Sequence, residues 1–156
     1  MKVLFLCTAN SCRSILSEAV FNHLAPAGMQ AYSAGSRPTG AVHPMSLQTL
    51  EKAGIPTDGL SSKSSDAHQD LAPDFVITVC DRAAGEACPV FFGPAMKAHW
   101  GLADPSEHTG CSDEIEAAFD ATLERIKTRV RAFLALPLKQ MSSEQLKAEL
   151  ALIGTL

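Results

Sequence analysis

"VLFLCTANSCRS", residues 3–14, runs an apolar stretch into a turn of small and polar residues that holds Cys7, Cys12 and Arg13. Residues 2–6 predict a strand. Over 13–24, Ile15, Leu16, Ala19, Val20 and Leu24 recur at helical spacing until Pro26 and Gly28 end the pattern. The stretch therefore reads strand, tight loop, helix. Backbone N–H groups of such a loop and of the first helical turn converge on one point, and the macrodipole adds about half a positive charge there. The loop is built to attract an anion.

The same alternation continues along the chain. Residues 29–33 predict a short second strand, closed by "SAGSRPTG" (33–40), whose Gly, Pro and Ser content predicts a loop. Pro44 suits the first turn of a helix over 45–53, with apolar residues at 47, 50 and 53 and Gly54 and Pro56 as its stop. "PDFVITVC" (73–80) places a fully apolar strand over 75–79, the pattern of a strand buried on both faces, ending at Cys80. The connection that follows, 81–97, is long for a compact domain, and such loops are functional or mobile. Residues 98–100 predict a short fourth strand leading into "GLADPSEHTG" (101–110). A long helix then starts at Ser112 or Asp113 and carries Ile115, Phe119, Leu123, Ile126, Val130 and Phe133 on one stripe to about residue 136, before Pro137. In "SSEQLKAELALIG" (142–154), Ser142 or Ser143 caps a last helix with Leu146, Leu150 and Ile153 on one face, which either docks on the domain or meets a partner. Strands alternating with helices predict a single three-layer α/β domain, a parallel sheet of about four strands flanked by helices, over residues 1–137, with a helical extension over 138–156.

A chain of 156 residues with 46% hydrophobic content suits one core, and a net charge of −4 provides no basic field for a polyanion. Nucleic acid is excluded as an expected partner. Residues 3–6 are too short a run for a signal peptide, and no stretch approaches the roughly 18 apolar residues of a membrane span, so a soluble, cytoplasmic monomer is expected. The 5 cysteines are Cys7, Cys12, Cys80, Cys88 and Cys111. In a reducing compartment a disulfide among them would be transient and catalytic rather than structural.

Within the first loop, Cys7 ends the strand and Arg13 opens the helix, so the guanidinium can return to face the same anion as the sulfur, with a planar fork matched to a tetrahedral oxyanion. A helix N-terminus and an adjacent cation lower a thiol from about 8.5 into roughly 3.5–7.5, which predicts a thiolate near neutral pH. An isolated cysteine is more often a small buried hydrophobe; here the loop context overrides that reading. Ser14 can donate to the thiolate, and Asn10 tolerates a left-handed backbone. Thr8, Ala9, Asn10, Ser11, Cys12, Arg13 and Ser14 form the predicted oxyanion loop. Asp104 in "ADPSE" is the candidate acid, placed after the fourth strand at the edge where parallel sheets keep their sites.

The spacing of Cys7, Arg13 and Ser14 after a first strand resembles the C-x5-R-S signature of the low-molecular-weight protein tyrosine phosphatase superfamily. Within it, "CTANSCRS", "YSAGS" (32–36), "CDRAAGEACP" (80–89), "AHWG" (98–101) and "ADP" (103–105) are similar to the arsenate reductases of that fold, over about residues 2–135. The resemblance implies sheet neighbours that bring Cys7 and Cys80 to one edge, within disulfide reach. It also implies a thiol relay: Cys7 as nucleophile toward arsenate, Asp104 as acid, Cys80 and then Cys88 as successive attacking thiols, and thioredoxin or glutaredoxin as external reductant. Phosphate and sulfate would be oxyanion analogues. Members of the group can carry a potassium ion near the loop, with ligands falling here on Asn10, Ser33, Ser64 or Ser65, and Asp66. His99 and Trp100 are expected to pack beneath the site, Cys12 to be structural, and Cys111 to fit no relay step.

Three other readings follow from the same residues. Cys7, Arg13 and Asp104 alone would serve a phosphatase acting on phosphomonoesters, although phosphotyrosine recognition wants aromatic residues at the cleft and the chain has 1 Tyr and 1 Trp. The loop could belong to a noncatalytic oxyanion-binding or redox-sensing module. Cys80, Cys88, His99 and Cys111 could hold zinc, although their spacing matches no zinc pattern.

Overall fold

The computed structural model describes residues 1–68, 70–80, 95–107 and 110–156. Cys88 and most of the long connection over 81–97 lie outside the described residues. Strands β1 (Lys2–Cys7), β2 (Gln30–Gly35), β3 (Phe75–Thr78) and β4 (Met96–His99) form one 4-stranded sheet in the order β2-β1-β3-β4, with every neighbouring pair parallel. The expected parallel α/β fold is the one observed. The described α-helices are α1 (Arg13–Leu24), α2 (Pro44–Lys52), α3 (Ser112–Leu134) and α4 (Ser143–Ile153).

Because side chains alternate across a strand, β1 divides its apolar run between two faces. Val3, Phe5 and Cys7 join Phe75, Ile77 and Val79 in the main core, with Leu16, Val20 and Phe21 of α1, Leu50 of α2, Phe119 and Phe133 of α3, and Leu150 of α4. Leu4, Ala34 and Val76 face the other way and pack with Leu6, Tyr32, Leu71 and Ala95. Phe5, Trp100 and Phe133 form a ring cluster at the centre of the main core, with centroids 6.2 and 6.0 Å apart from Trp100.

Three strand boundaries differ from expectation. β1 ends at Cys7 as expected, β3 stops at Thr78 rather than at 79, and β2 continues past Ser33 through Ala34 and Gly35, inside the stretch predicted as a loop. Its register pairs Leu6 with Ala34 and Cys7 with Gly35, so ladder pairing to β1 overrides the weak strand preference of small residues. A Cβ on Gly35 would fall on the Thr8 carbonyl and against Asn10, so this glycine admits the loop to the sheet. β4 covers Met96–His99 rather than 98–100, an edge strand with Lys97 and His99 exposed, and Trp100 lies just past its end.

The terminal helix docks. Ser142 and Gln145 form a reciprocal capping box, and Leu146, Leu150 and Ile153 are buried in the main core. The Trp100 indole donates to the Leu150 carbonyl at 3.0 Å. Arg129 of α3, buried, donates to the carbonyls of Trp100, Gly101 and Gly154 at 2.8, 3.0 and 3.1 Å, which ties the end of α4 to the chain leading from β4 toward Asp104. Among the described residues no helix is long and apolar enough to cross a membrane.

Candidate functional site

Strand order places the site. β1 connects onward to β2 on one side, while β3 lies on its other side, so the strand order reverses between β1 and β3, and the carboxyl ends of these two strands flank the switch point where parallel sheets keep their sites. Cys7 ends β1 and Cys80 follows β3, and both are buried there. Between β1 and α1 the loop carbonyls are bonded away from the sulfur. Those of Cys7, Thr8, Ala9 and Ser11 accept from the N–H groups of Ser36, Arg37, Thr39 and His43, at 3.4, 2.9, 3.1 and 3.1 Å. A planar trans peptide that sends its carbonyl outward sends the following N–H inward. The Asn10 N–H accordingly donates to Cys7 Sγ at 3.2 Å, with Asn10 itself at φ 50°. Cys12 is the N-cap of α1 but makes no side-chain cap hydrogen bond, so the helix's first donors are not spent on a cap.

A polar network supports the loop from below. Ser14 Oγ donates to Cys7 Sγ at 3.2 Å and accepts from Asn10 Nδ2 at 2.8 Å. Asn10 Nδ2 also reaches Ser33 Oγ at 3.1 Å, and Asn10 Oδ1 accepts from the Lys63 N–H at 2.8 Å. Of the predicted loop residues, Asn10 and Ser14 thus contact the sulfur directly, Ser14 as donor and Asn10 with a left-handed backbone, as their chemistry predicted.

Arg13 stands at the loop's edge. Its guanidinium donates to the Leu102 carbonyl at 3.2 Å and to Asp104 Oδ2 at 3.4 Å. The other Asp104 oxygen accepts from the Ser106 N–H and hydroxyl at 2.9 and 2.7 Å, which fixes the carboxylate's orientation. Cys7 thus stands against Cys80, and Arg13 against Asp104, while Cys88 is outside the described residues.

The expectation of a lowered Cys7 pKa is corrected by its neighbours. The Cys80 sulfur, hydrogen-bonded to Cys7, and burial raise the Cys7 thiol above the ordinary thiol range, against the lowering donors Ser14 and Asn10. Arg13, the cation expected beside the sulfur, pairs with Asp104. Two thiols in one buried place resist ionising together, so the pair holds its second proton tightly and titrates as a unit. Thr8 Oγ1 contacts Cys80 Sγ at 3.5 Å.

The remaining predicted residues separate. Trp100 packs in the core as expected, whereas His99 is exposed on β4 with its Nδ1 2.8 Å from Thr78 Oγ1. Cys12 is buried, and its thiol is raised by burial. Cys111 is exposed at the N-cap of α3. Among the described residues no group of three His, Cys, Asp or Glu side chains stands together for a metal, while the zinc set includes Cys88, outside them.

Of the potassium set, Asn10 and Ser33 come together and Asp66 is exposed. The sequence reading missed the residues that complete this corner. Glu18, buried on α1, accepts from Ser33 Oγ at 2.6 Å, and Lys63 Nζ lies 3.8 Å from the same carboxylate oxygen. Burial raises the Glu18 carboxyl, while Ser33 and Lys63 lower it. Burial lowers the Lys63 ammonium, opposed by Glu18. The signal available in the sequence was a lone carboxylate inside the apolar stripe of α1.

A model of the low molecular weight phosphotyrosine protein phosphatase family matches residues 2–151. The chain is 34% identical over 134 residues to an arsenate reductase of Shouchella clausii, covering 84% of this chain and 93% of that one. It is similar to a solved arsenate reductase in the phosphate binding state, with a TM-score of 0.71 and 27% identity, covering 86% of this chain and 96% of that chain. It is also similar to a Corynebacterium glutamicum thioredoxin-dependent arsenate reductase, with a TM-score of 0.58 and 27% identity, covering 83% of this chain and 61% of the other. A match over nearly every residue places this chain in the low molecular weight phosphotyrosine protein phosphatase family.

Proposed function

We propose that this protein reduces arsenate to arsenite by a thiol relay through Cys7, Cys80 and Cys88. The observation that carries the reading is the Cys80 thiol, buried beside the nucleophile and hydrogen-bonded to it. A phosphatase needs one thiol at this edge, and a second adjacent thiol hinders the first from ionising. A reductase uses that same neighbour as its next reagent. Among the described residues, Trp100 is buried in the core and Tyr32 packs on the His68 ring at 5.5 Å, a disposition that favours an inorganic oxyanion over an aromatic ester.

In the proposed sequence, arsenate sits against the inward N–H groups of Thr8–Ser14 and Arg13, the Cys7 thiolate forms an S–As bond, and Asp104 protonates the oxygen that leaves as water. The Cys80 thiolate then attacks Cys7 Sγ. The electron pair of the S–As bond passes to arsenic, which leaves as arsenite, and a Cys7–Cys80 disulfide remains. Cys88 attacks Cys80 Sγ, freeing Cys7 as thiolate and leaving a Cys80–Cys88 disulfide for an external dithiol. Thioredoxin is the expected reductant and glutaredoxin the other one to assay, in the reducing cytoplasm where such thiols persist.

The test couples the purified protein to arsenate, thioredoxin, its reductase and NADPH and follows NADPH loss. Cys7→Ser is expected to abolish turnover, and Cys80→Ser or Cys88→Ser to block every cycle after the first partial reaction. Full turnover in Cys88→Ser overturns the three-thiol relay. Para-nitrophenyl phosphate tests the phosphatase reading, because that chemistry would survive loss of Cys80 and Cys88.

A further inference from the structure

The corner where the resemblance implies a potassium ion is arranged differently in this chain. Asn10 Oδ1, the oxygen such an ion would use, already accepts the Lys63 N–H at 2.8 Å. Ser33 Oγ donates to Glu18 Oε1 at 2.6 Å, and the Asp66 side chain is exposed. Lys63 Nζ lies 3.8 Å from that Glu18 oxygen and donates to the Ser61 carbonyl at 2.7 Å. A potassium ion needs several oxygens in place of its water shell, and an ammonium group at this carboxylate would repel a second cation. The donor set does not fit the ion.

We propose that Lys63 is a built-in cation for this corner, a positioning residue whose ammonium does for Glu18 and the Cys7 loop what a bound potassium ion would otherwise do. Three groups of this one residue reach the site. The ammonium faces Glu18, the backbone N–H holds Asn10, and the carbonyl accepts from the Gly35 N–H at 2.9 Å, beside the end of β1. From Glu18 the path runs through Ser33 to Asn10, and the Asn10 N–H ends it on Cys7 Sγ. A buried carboxylate left without a cation is strongly unfavourable, so removing the ammonium disturbs every bond on this path.

The activity arm of the test rests on the arsenate-reductase reading, and the melting arm does not. The full-length wild type, Lys63→Met, Lys63→Arg, Glu18→Gln and the Lys63→Met/Glu18→Gln double variant are melted in potassium chloride and in choline chloride at equal ionic strength. Wild type is expected to melt at the same temperature in both salts. Lys63→Met is expected to melt several degrees lower in choline, to recover in potassium or on adding Glu18→Gln, and Lys63→Arg to stay near wild type. Arsenate turnover of Lys63→Met should fall at least tenfold in choline and rise with potassium in step with its melting temperature. A wild type stabilised by potassium over choline overturns the proposal, as does a Lys63→Met variant that melts like wild type in choline. So does a Lys63→Met loss that neither potassium nor Glu18→Gln reverses. If wild type fails to turn over arsenate at all, the function proposed above falls while the melting series still decides this one.

Discussion

The Arg13 guanidinium lies 3.4 Å from the Asp104 carboxylate and donates to the Leu102 carbonyl beside it. The pair links the start of α1 to the turn after β4, so the proposed oxyanion-binding cation and the proposed acid are positioned by one another. Its side chains are only partly exposed, at 15% and 19%, which keeps the contact less screened than a surface ion pair.

Replacing Asp104 with Asn removes the proposed acid and releases Arg13 from its charge partner. Turnover with arsenate is expected to fall by about 10²–10⁴-fold, the usual contribution of a positioned acid. Competitive inhibition by phosphate should be retained or strengthened, because the guanidinium is then free to turn toward the anion. Steady-state kcat and a phosphate inhibition constant measure the two effects, and a weakened phosphate constant with unchanged kcat refutes the assignment.

The second thiol controls the first. Cys80 is the largest cause raising the Cys7 thiol, so Cys80→Ala is expected to lower the pKa of Cys7. Thiolate forms at lower pH in the variant, and the pH midpoint for alkylation of Cys7 by iodoacetamide moves down, read on the Cys7 peptide by mass spectrometry. A midpoint that stays put or moves up contradicts the coupling.

Gly35 is the one residue of β2 that must lack a side chain, since a Cβ there would strike the Thr8 carbonyl. Gly35→Ala should leave helix content unchanged by circular dichroism while reducing arsenate turnover more than tenfold, because relief of the clash displaces the loop that holds Asn10 against Cys7. Wild-type turnover in this variant would mean that the loop tolerates the shift.

The terminal helix is part of the core. Leu150 is 1% exposed, so Leu150→Ala is expected to cost about 2–5 kcal/mol in urea unfolding. Trp100, the chain's 1 tryptophan, donates to the Leu150 carbonyl and reports the same loosening as a red-shifted emission. A cost below about 1 kcal/mol would show that α4 is a peripheral attachment.

Local pattern was enough for the first strand, its loop and α1, because an apolar run, a tight turn and 3.6-residue spacing are properties of adjacent residues. The placement of Cys7, Arg13, Ser14 and Asn10 on one loop was legible for the same reason. Residues 34–35 were not, since Ala and Gly carry little intrinsic strand preference and become β2 only through pairing with Leu6 and Cys7. β4 was misplaced by two residues because an edge strand of Met, Lys, Ala and His lacks the apolar run that marks a buried one. Electrostatics was the least legible. Whether Arg13 faces Cys7 or Asp104, whether Cys80 raises its neighbour, and whether Lys63 meets Glu18 all depend on side chains distant in sequence and adjacent only once the sheet has formed. The sequence alone determined which groups are available to the loop, because their chemistry is carried by residue type and local spacing; only the tertiary structure decided their charge, because an ionisable group answers to whatever burial and partners the fold assembles around it.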